Sequence, residues 1–302
     1  MIHIIITAYG EPKSTLKSIN SFLSQKINQP FKIIVVDPFP ETEKFIKKNI
    51  KNKKVEFFLD PGEGKSYALN VLFEQIYSKD TSDLIILTDG DVYVSENSVA
   101  SIFEAFKDKK IGCITGRPVS LNKKNSALGF WSHLLFDGIH RVREKISKKR
   151  AFFECSGYLF AIRNGALQGF PLETSEDSII PHLFWEKGYK IKYVPQAKVY
   201  VVSPDNWKEW KVQKIRNIKA HENLNKIAKN MPRTKSFFNE IKEGTFFALS
   251  YPRSIKEFYW TCLLFLARLC IYLTAFYDLK IRKKGYQDGW RIEKTKSTSP
   301  LD

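Results

Sequence analysis

The chain reads as an α/β protein: a mostly parallel, mixed sheet flanked by helices, with a C-terminal helical region of different character. Three observations predict this. Short β-branched apolar runs alternate with amphipathic stretches through the first half, polar and acidic residues close successive runs, and aromatic, basic helix takes over from about residue 204. Strands separated by helices become parallel neighbours with helices on both faces. Such sheets bind ligands beyond the carboxyl ends of their strands. With 302 residues and 43% hydrophobic content, the chain can bury a large core. It divides on composition into a domain over 1–204 and a helical, membrane-associated region over 205–302.

The predicted strands are 2–7, 31–37, 54–58, 84–88 and 111–115, each short and bounded by turn formers. Residues 12–25, 41–49, 65–77 and 97–107 carry apolar side chains at helical spacing. A long amphipathic helix is predicted over 121–149, with Leu128, Trp131, Leu135, Ile139 and Val142 on one face. Paired strands are expected over 152–162 around Ser156-Gly157. A helix then runs from Ser175 towards Lys187, with Ser175 as N-cap and Glu176 and Asp177 in the first turn, where the helix dipole favours acids. Further strands are expected over 191–194 and 198–202.

In the last third, Trp207, Trp210, Ile215 and Ile218 alternate with Lys208, Lys211, Lys214, Arg216 and Lys219, a composition suited to a headgroup interface. The stretch 258–277 has the length of a bilayer crossing. Its one charge, Arg268, would cost about 2.5 to 3.5 kcal/mol at mid-span. A membrane-seated or re-entrant helix, a hairpin with 246–251, or a helix docked on the sheet fits the same residues. Arg253 and Lys256 precede it and further basic residues follow at 280–284, so the positive-inside rule gives no direction. The tail from 291 is polar and expected to be disordered.

A net charge of +17 points to an anionic partner: a phosphorylated substrate, acidic headgroups or nucleic acid. The basic residues are spread over many helical stretches with no zinc-finger or RNP pattern, which sets nucleic acid behind the other two. Cys113, Cys155, Cys262 and Cys270 show no CxxC spacing and no nearby His pair, so reduced thiols in a cytosolic setting are expected. The chain enters an apolar strand without a charged leader or cleavage site, which argues against a signal peptide and for chemistry on the cytoplasmic side.

The most informative motif is Asp89-Gly90-Asp91, just past the apolar run 84–88. Two carboxylates one residue apart beside a buried strand are costly unless a cation sits between them, and a divalent ion on a phosphorylated ligand would fill that place. The same tripeptide also fits a polar loop that merely caps a strand. The carboxyl ends of the preceding strands carry Thr7-Ala8-Tyr9-Gly10-Glu11, Asp37 and the segment 60–65, so polar groups converge on one rim. Gly62-Glu63-Gly64-Lys65-Ser66 is not a Walker A loop, because Leu59 stands where the first glycine is required. It is a glycine turn entering a helix, where backbone amides and the Lys65 ammonium could meet an anion, or an ordinary helix start.

Taken together, Thr7-Ala8-Tyr9-Gly10-Glu11, Val36-Asp37, Gly64-Lys65 leading to Ala68-Leu69-Asn70, Asp89-Gly90-Asp91, Ser175-Glu176-Asp177, Gly188-Tyr189-Lys190 and Tyr193-Val194-Pro195-Gln196-Ala197 resemble the family 2 inverting glycosyltransferases. These motifs follow in the family's order over about the first 200 residues. The resemblance implies the GT-A fold and a nucleoside-diphosphate sugar donor. It implies that Thr7, Tyr9 and Glu11 border the nucleoside, Asp37 reads the base edge and Lys65 lies near base or phosphates. Asp89 would hold ribose or sugar, Asp91 would ligate Mg²⁺ or Mn²⁺, and Asp177, with Glu176 beside it, would be the general base. Gln213-Lys214-Ile215-Arg216-Asn217 is similar to the Gln-x-x-Arg-Trp motif of polysaccharide synthases, with Asn217 in place of tryptophan. Gln213 and Arg216 are therefore candidate diphosphate or acceptor contacts, or part of an exposed amphipathic helix. The missing tryptophan, and the lack of several spanning helices, favour transfer of a single sugar to a lipid-linked or cell-surface glycan at the membrane. A sugar-nucleotide nucleotidyltransferase and a non-enzymatic basic binding module are the competing readings; Tyr9-Gly10-Glu11 is not the glycine- and basic-rich loop of the first, and Asp91 and Asp177 count against the second.

Overall fold

A computed structural model describes residues 1–172, 174–229, 237–286 and 297–299, with backbone alone at 237–240. The elements are β1 (Ile2–Thr7), α1 (Pro12–Leu23), β2 (Phe31–Asp37), α2 (Pro40–Asn49), β3 (Val55–Leu59), α3 (Lys65–Gln75), β4 (Leu84–Asp89), β5 (Tyr93–Val94), α4 (Ser98–Ala105), β6 (Ile111–Ser120), α5 (Ala127–Lys148), β7 (Leu159–Arg163), α6 (Glu176–Glu186), β8 (Lys190–Val201), α7 (Trp207–Ile227), α8 (Phe237–Ser250) and α9 (Ile255–Phe276). A π-helical turn, Tyr277–Ile281, continues α9.

The sheet order is β3-β2-β1-β4-β7-β6-β8-β5. Strands β1 to β4 are parallel, with Ile2 opposite both Phe31 and Leu84. Strand β7 runs antiparallel between β4 and β6, and β8 returns parallel to β6. The sheet is therefore mixed and mostly parallel, as its alternating sequence predicts. Strand side chains alternate between two cores. Ile4, Ile6, Ile33, Val35 and Ile86 face a core with Ile19 and Phe22 of α1 and Ile102 of α4. Ile5, Ile34, Val36, Ile85 and Leu87 face another with Leu69, Leu72 and Phe73 of α3 and Ile180 and Phe184 of α6. Burial on both faces is why these strands read as continuous apolar runs.

Four expectations are corrected. Residues 152–162 are not paired strands; only β7 is extended, and it pairs with β4 and β6. The preceding amides are taken elsewhere: Cys155 N–H donates to the Asp177 carbonyl, Ser156 N–H to Thr115 Oγ1 and Gly157 N–H to Asp177 Oδ2. The two strands expected over 191–202 are one strand, β8, whose register against β6 shifts between Thr115 and Arg117. Pro195 lies in that irregularity, where a missing N–H breaks no ladder bond. Strand β6 runs on to Ser120, past the predicted end at 115, because its far half pairs with β8 from Lys198 to Val201. The tail is mostly outside the described residues, but 297–299 are packed against the protein, with Thr298 and Ser299 buried.

The C-terminal helices build a third core on α5. Phe130, Trp131 and Leu134 of α5 meet Trp210 of α7, Ala248 of α8, and Leu264, Ala267 and Ile271 of α9. Helix α9 thus packs on α5 and α7 and also meets α8, the hairpin being one of the arrangements its sequence allows. Gly112 shows how tight the sheet–helix contacts are, since a Cβ there would lie 2.5 Å from the Phe184 ring and 2.6 Å from Tyr189 Cβ. Gly112→Ala is expected to destabilise the protein by about 1 to 3 kcal/mol. Gly244→Ala, in α8 with nothing within 4 Å of the added methyl, should instead gain up to about 1 kcal/mol of helix propensity. Urea unfolding of the two variants measures both.

Candidate active site

The carboxyl edge of the sheet gathers the predicted residues around a buried ion cluster. Lys65 opens α3 directly after Gly64, whose φ of 102° favours glycine at this turn. Its Nζ lies 2.9 Å from Asp89 Oδ1 at the end of β4 and 2.6 Å from Glu176 Oε1 at the start of α6. Thr7 Oγ1, at the end of β1, is 3.1 Å from the same Asp89 oxygen. The ends of two parallel strands and the starts of two helices are thereby joined around one ammonium. Burial alone would lower the Lys65 pKa, yet Asp89 and Glu176 overcome it and hold the group above its ordinary value. Burial also raises the Glu176 carboxyl, and Lys65 pulls it part of the way back.

Asp89 and Asp91 are separated by a glycine for a steric reason. A Cβ on Gly90 would fall 2.7 Å from Ala8 Cβ and 2.9 Å from Thr15 Oγ1, so the turn lies directly on the loop after β1. Gly90 N–H donates to the Thr7 carbonyl at 2.7 Å. Asp37 is fully buried at the end of β2, its Oδ2 accepting from Gly10 N–H and its Oδ1 from Phe39 N–H, both at 2.8 Å. Burial raises its carboxyl above the usual range, and those amides and Thr42 partly offset the effect. It therefore shapes the loops around Tyr9, whose ring meets Phe39 edge-on at 5.0 Å. Glu11 is buried and accepts from Ser299 Oγ at 2.6 Å, while the Ser297 hydroxyl donates to Glu209 at the start of α7. The expected disorder of the tail fails here because its hydroxyls satisfy acids at the rim.

Across the cleft, Asp177 is in the first turn of α6, where its Oδ2 accepts from Gly157 N–H at 3.1 Å. Ser175 occupies the N-cap position, but its hydroxyl donates to Asp177 Oδ1 and caps no backbone amide. That hydrogen bond to the carboxylate orients the hydroxyl on Asp177 instead. Tyr158, which the sequence reading missed, stands between the two walls. Its carbonyl accepts from Thr88 Oγ1 at 2.7 Å and its ring meets Phe136 edge-on at 5.9 Å. Its hydroxyl bonds Gln213 of α7, and burial together with the nearby charges of Asp91, Asp89 and Asp177 pushes its pKa well up. The signal that points to it is its place directly after Ser156-Gly157, around which paired strands are expected from the sequence. Arg216, three residues beyond Gln213, lies by Tyr286, with its Nη2 3.4 Å from that hydroxyl. Thr7, Lys65, Asp89, Glu176, Asp177, Asp91 and Gln213 are thus brought into one neighbourhood. Tyr9, Asp37 and Glu11 line the adjoining loops.

The described residues hold no cluster of three or more His, Cys, Asp or Glu side chains that could cage a metal. The donors present are hard carboxylate oxygens, which fit Mg²⁺ or Mn²⁺ held by one or two acids together with phosphate oxygens of a ligand.

The mixed α/β sheet thus gathers acids at its carboxyl edge, where such sheets bind ligands. The chain belongs to the glycosyltransferase-like family 2, whose model matches residues 2–220. It is 24% identical over 220 residues to a poly-beta-1,6-N-acetyl-D-glucosamine synthase of Staphylococcus aureus (strain COL), covering 69% of this chain and 52% of that protein. It is 24% identical over 238 residues to an N-acetylglucosaminyltransferase of Azorhizobium caulinodans, covering 71% and 58%. The chain spans about half the length of the curated relatives it matches. A crystal structure of GalNAc-T7 with UDP, GalNAc and Mn²⁺ superposes with a TM-score of 0.46 at 18% identity, covering 83% of this chain and 57% of that one. Membership of this family counts against the nucleotidyltransferase and binding-module readings.

The ion cluster sets two expectations. Lys65→Met leaves the buried Glu176 and the half-buried Asp89 without their cation and should cost about 3 kcal/mol in urea unfolding. Lys65→Arg keeps the charge and should lose less. The pH dependence follows from the shifts. Lys65 sits above its ordinary value, so its stabilisation is complete below pH 10.5 and is lost only as pH rises through the higher folded value. Glu176 is raised, so the folded state holds extra protons in the window above its ordinary 4.5, and stability falls as pH rises through that window. Removing Lys65 deletes the charge that lowers Glu176, so the Glu176 titration in Lys65→Met should move to higher pH. Carboxyl carbon NMR measures it, and an unmoved titration would disprove the coupling.

Proposed function

We propose that this chain is an inverting glycosyltransferase that moves one sugar from a nucleoside-diphosphate donor to a hydroxyl on a lipid-linked or cell-surface glycan. The observation that carries this reading is the Lys65 ammonium joining Asp89 of the β4 edge to Glu176, next to Asp177. It gives two walls of one cleft, each with its own acid.

In the proposed reaction the acceptor hydroxyl attacks the anomeric carbon opposite the leaving group. Its proton passes to the Asp177 carboxylate, and the bond to the diphosphate breaks with its electron pair on the departing phosphate oxygen. Gly157 N–H and the Ser175 hydroxyl hold Asp177 in one orientation. Glu176 is kept from approaching the donor's negative charge by its pairing with Lys65. Asp89 is the proposed sugar or ribose contact, and Thr7, Tyr9, Glu11 and Asp37 border the nucleoside. Gln213 and Arg216 are proposed contacts to diphosphate or acceptor from α7. Asp91 would hold a Mg²⁺ or Mn²⁺ ion, which when bound neutralises charge on the leaving diphosphate. The names of the two relatives make an N-acetylglucosaminyl donor the first to test.

Single transfer is preferred to processive synthesis because Asn217 replaces the motif tryptophan. Among the described residues one helix, Ile255–Ile281, is also long and apolar enough to cross a membrane. The apolar, basic C-terminal helices support a seat at the cytoplasmic face of the membrane. Release of UDP or GDP from sugar nucleotides with added Mn²⁺ tests the assignment. Asp177→Asn and Asp91→Ala are each expected to lower turnover by at least about a hundredfold with unfolding midpoints near that of the native chain. Full turnover in both variants would end this assignment of the acids.

A further inference from the structure

Helix α9 has the length and apolarity of a membrane span, yet its packing is that of a helix fixed to a globular body. Thr261, Leu264, Ala267, Ile271 and Ala275 are buried. At 100° per residue they share one face, and that face lies on α5 and α7. The attachment runs the length of the helix. Near its start Trp131 Nε1 donates to the Trp260 carbonyl at 2.6 Å, and at its end Lys219 of α7 pairs with Asp278 at 2.7 Å. A crossing would have to peel α9 from both partners, or draw the charged helices α5 and α7 into hydrocarbon with it.

The opposite face is apolar and open. Ile255 is 91% exposed, and Cys262, Leu266, Leu269, Leu273 and Phe276 continue the same stripe over about 33 Å of helix. Phe246 of the neighbouring α8 is 85% exposed. Arg268 is not on this stripe; it lies towards the packed side, its guanidinium 5.1 Å over the Tyr272 ring. Charge is confined to the two ends and is mostly basic. Arg253 and Lys256 are exposed at the start of the stripe, and Lys280, Arg282, Lys283 and Lys284 after it. The two acids of this stretch are engaged, Glu257 by the Arg253 amide and Asp278 by Lys219 and Arg282.

We infer that α9 lies in the plane of an anionic phospholipid bilayer, its outer stripe sunk to the headgroup–acyl boundary and its basic ends on lipid phosphates, so that the enzyme sits on one leaflet without crossing. Apolar area on one side with cations at its margins is the pattern of interfacial helices. The inference rests on the membrane association proposed above and specifies its geometry. It also places the membrane next to the catalytic unit, because α7, which carries Gln213 and Arg216, is held between α9 and the site.

The test uses the full chain with Cys262 and Cys270 changed to Ser, and single cysteines placed at Ile255, Leu266 or Leu273 for an environment-sensitive fluorophore. With phosphatidylcholine vesicles containing phosphatidylglycerol, depth-dependent quenching should report the same shallow depth for all three labels. Lys280→Gln with Lys284→Gln should reduce partitioning onto these vesicles on the order of tenfold and leave turnover on a soluble acceptor unchanged. A central label at mid-bilayer with its neighbours on opposite sides would show a span and overturn the inference. Labels untouched by lipid quenchers, or shielded by a vesicle-free dimer, would overturn it as well, even where sugar-nucleotide turnover is intact. Shallow seating with no turnover of any donor supports the seat while removing the enzymatic reading.

Discussion

The Lys65 ammonium is the constraint on which the sheet half of the molecule and its candidate site depend. Asp89 closes a central strand and Glu176 opens a helix from a distant part of the chain, and both lose water on folding. Two such carboxylates side by side would repel and take up protons. A single cation of fixed reach makes the pair tolerable and sets the separation between the β4 edge and α6. Thr7 adds β1 to the same centre. Asp177 follows Glu176 in the chain, so its position inherits that spacing.

Around this centre the backbone, more than the side chains, does the positioning. The segment before β7 gives its amides to Asp177 and Thr115 and so cannot be a ladder strand. Its irregular path brings Tyr158 between the acids and Gln213 of α7. Helix α7 rests in turn on α9 through the third core and the Lys219–Asp278 pair. A continuous set of contacts therefore leads from the cleft to the exposed apolar stripe, which gives the C-terminal helices a structural connection to the site.

Much of the fold was legible because the central strands are buried on both faces. Runs such as Ile4-Ile5-Ile6 and Ile33-Ile34-Val35-Val36 must be apolar at every position, and β2 begins and ends where its run does. Legibility fell where pairing is decided by distant partners. The far half of β6, the joined strand β8 and the two-residue β5 exist because each meets a neighbour remote in sequence. The packing of residues 297–299 was invisible for the same reason: hydroxyls in a polar tail carry no pattern until Glu11 and Glu209 are there to receive them.

The sequence by itself determined the α/β class, the order of the elements and the acids at the strand ends, because alternation and turn chemistry are local properties. It also carried the family, through motifs in a fixed order. Only the tertiary structure decided that Lys65 is held between Asp89 and Glu176, that Tyr158 belongs to the cleft, and that α9 lies against α5 and α7 with one side bare. Each of these depends on which groups share a desolvated space, and electrostatics and packing act on distance in space, which a linear pattern does not contain.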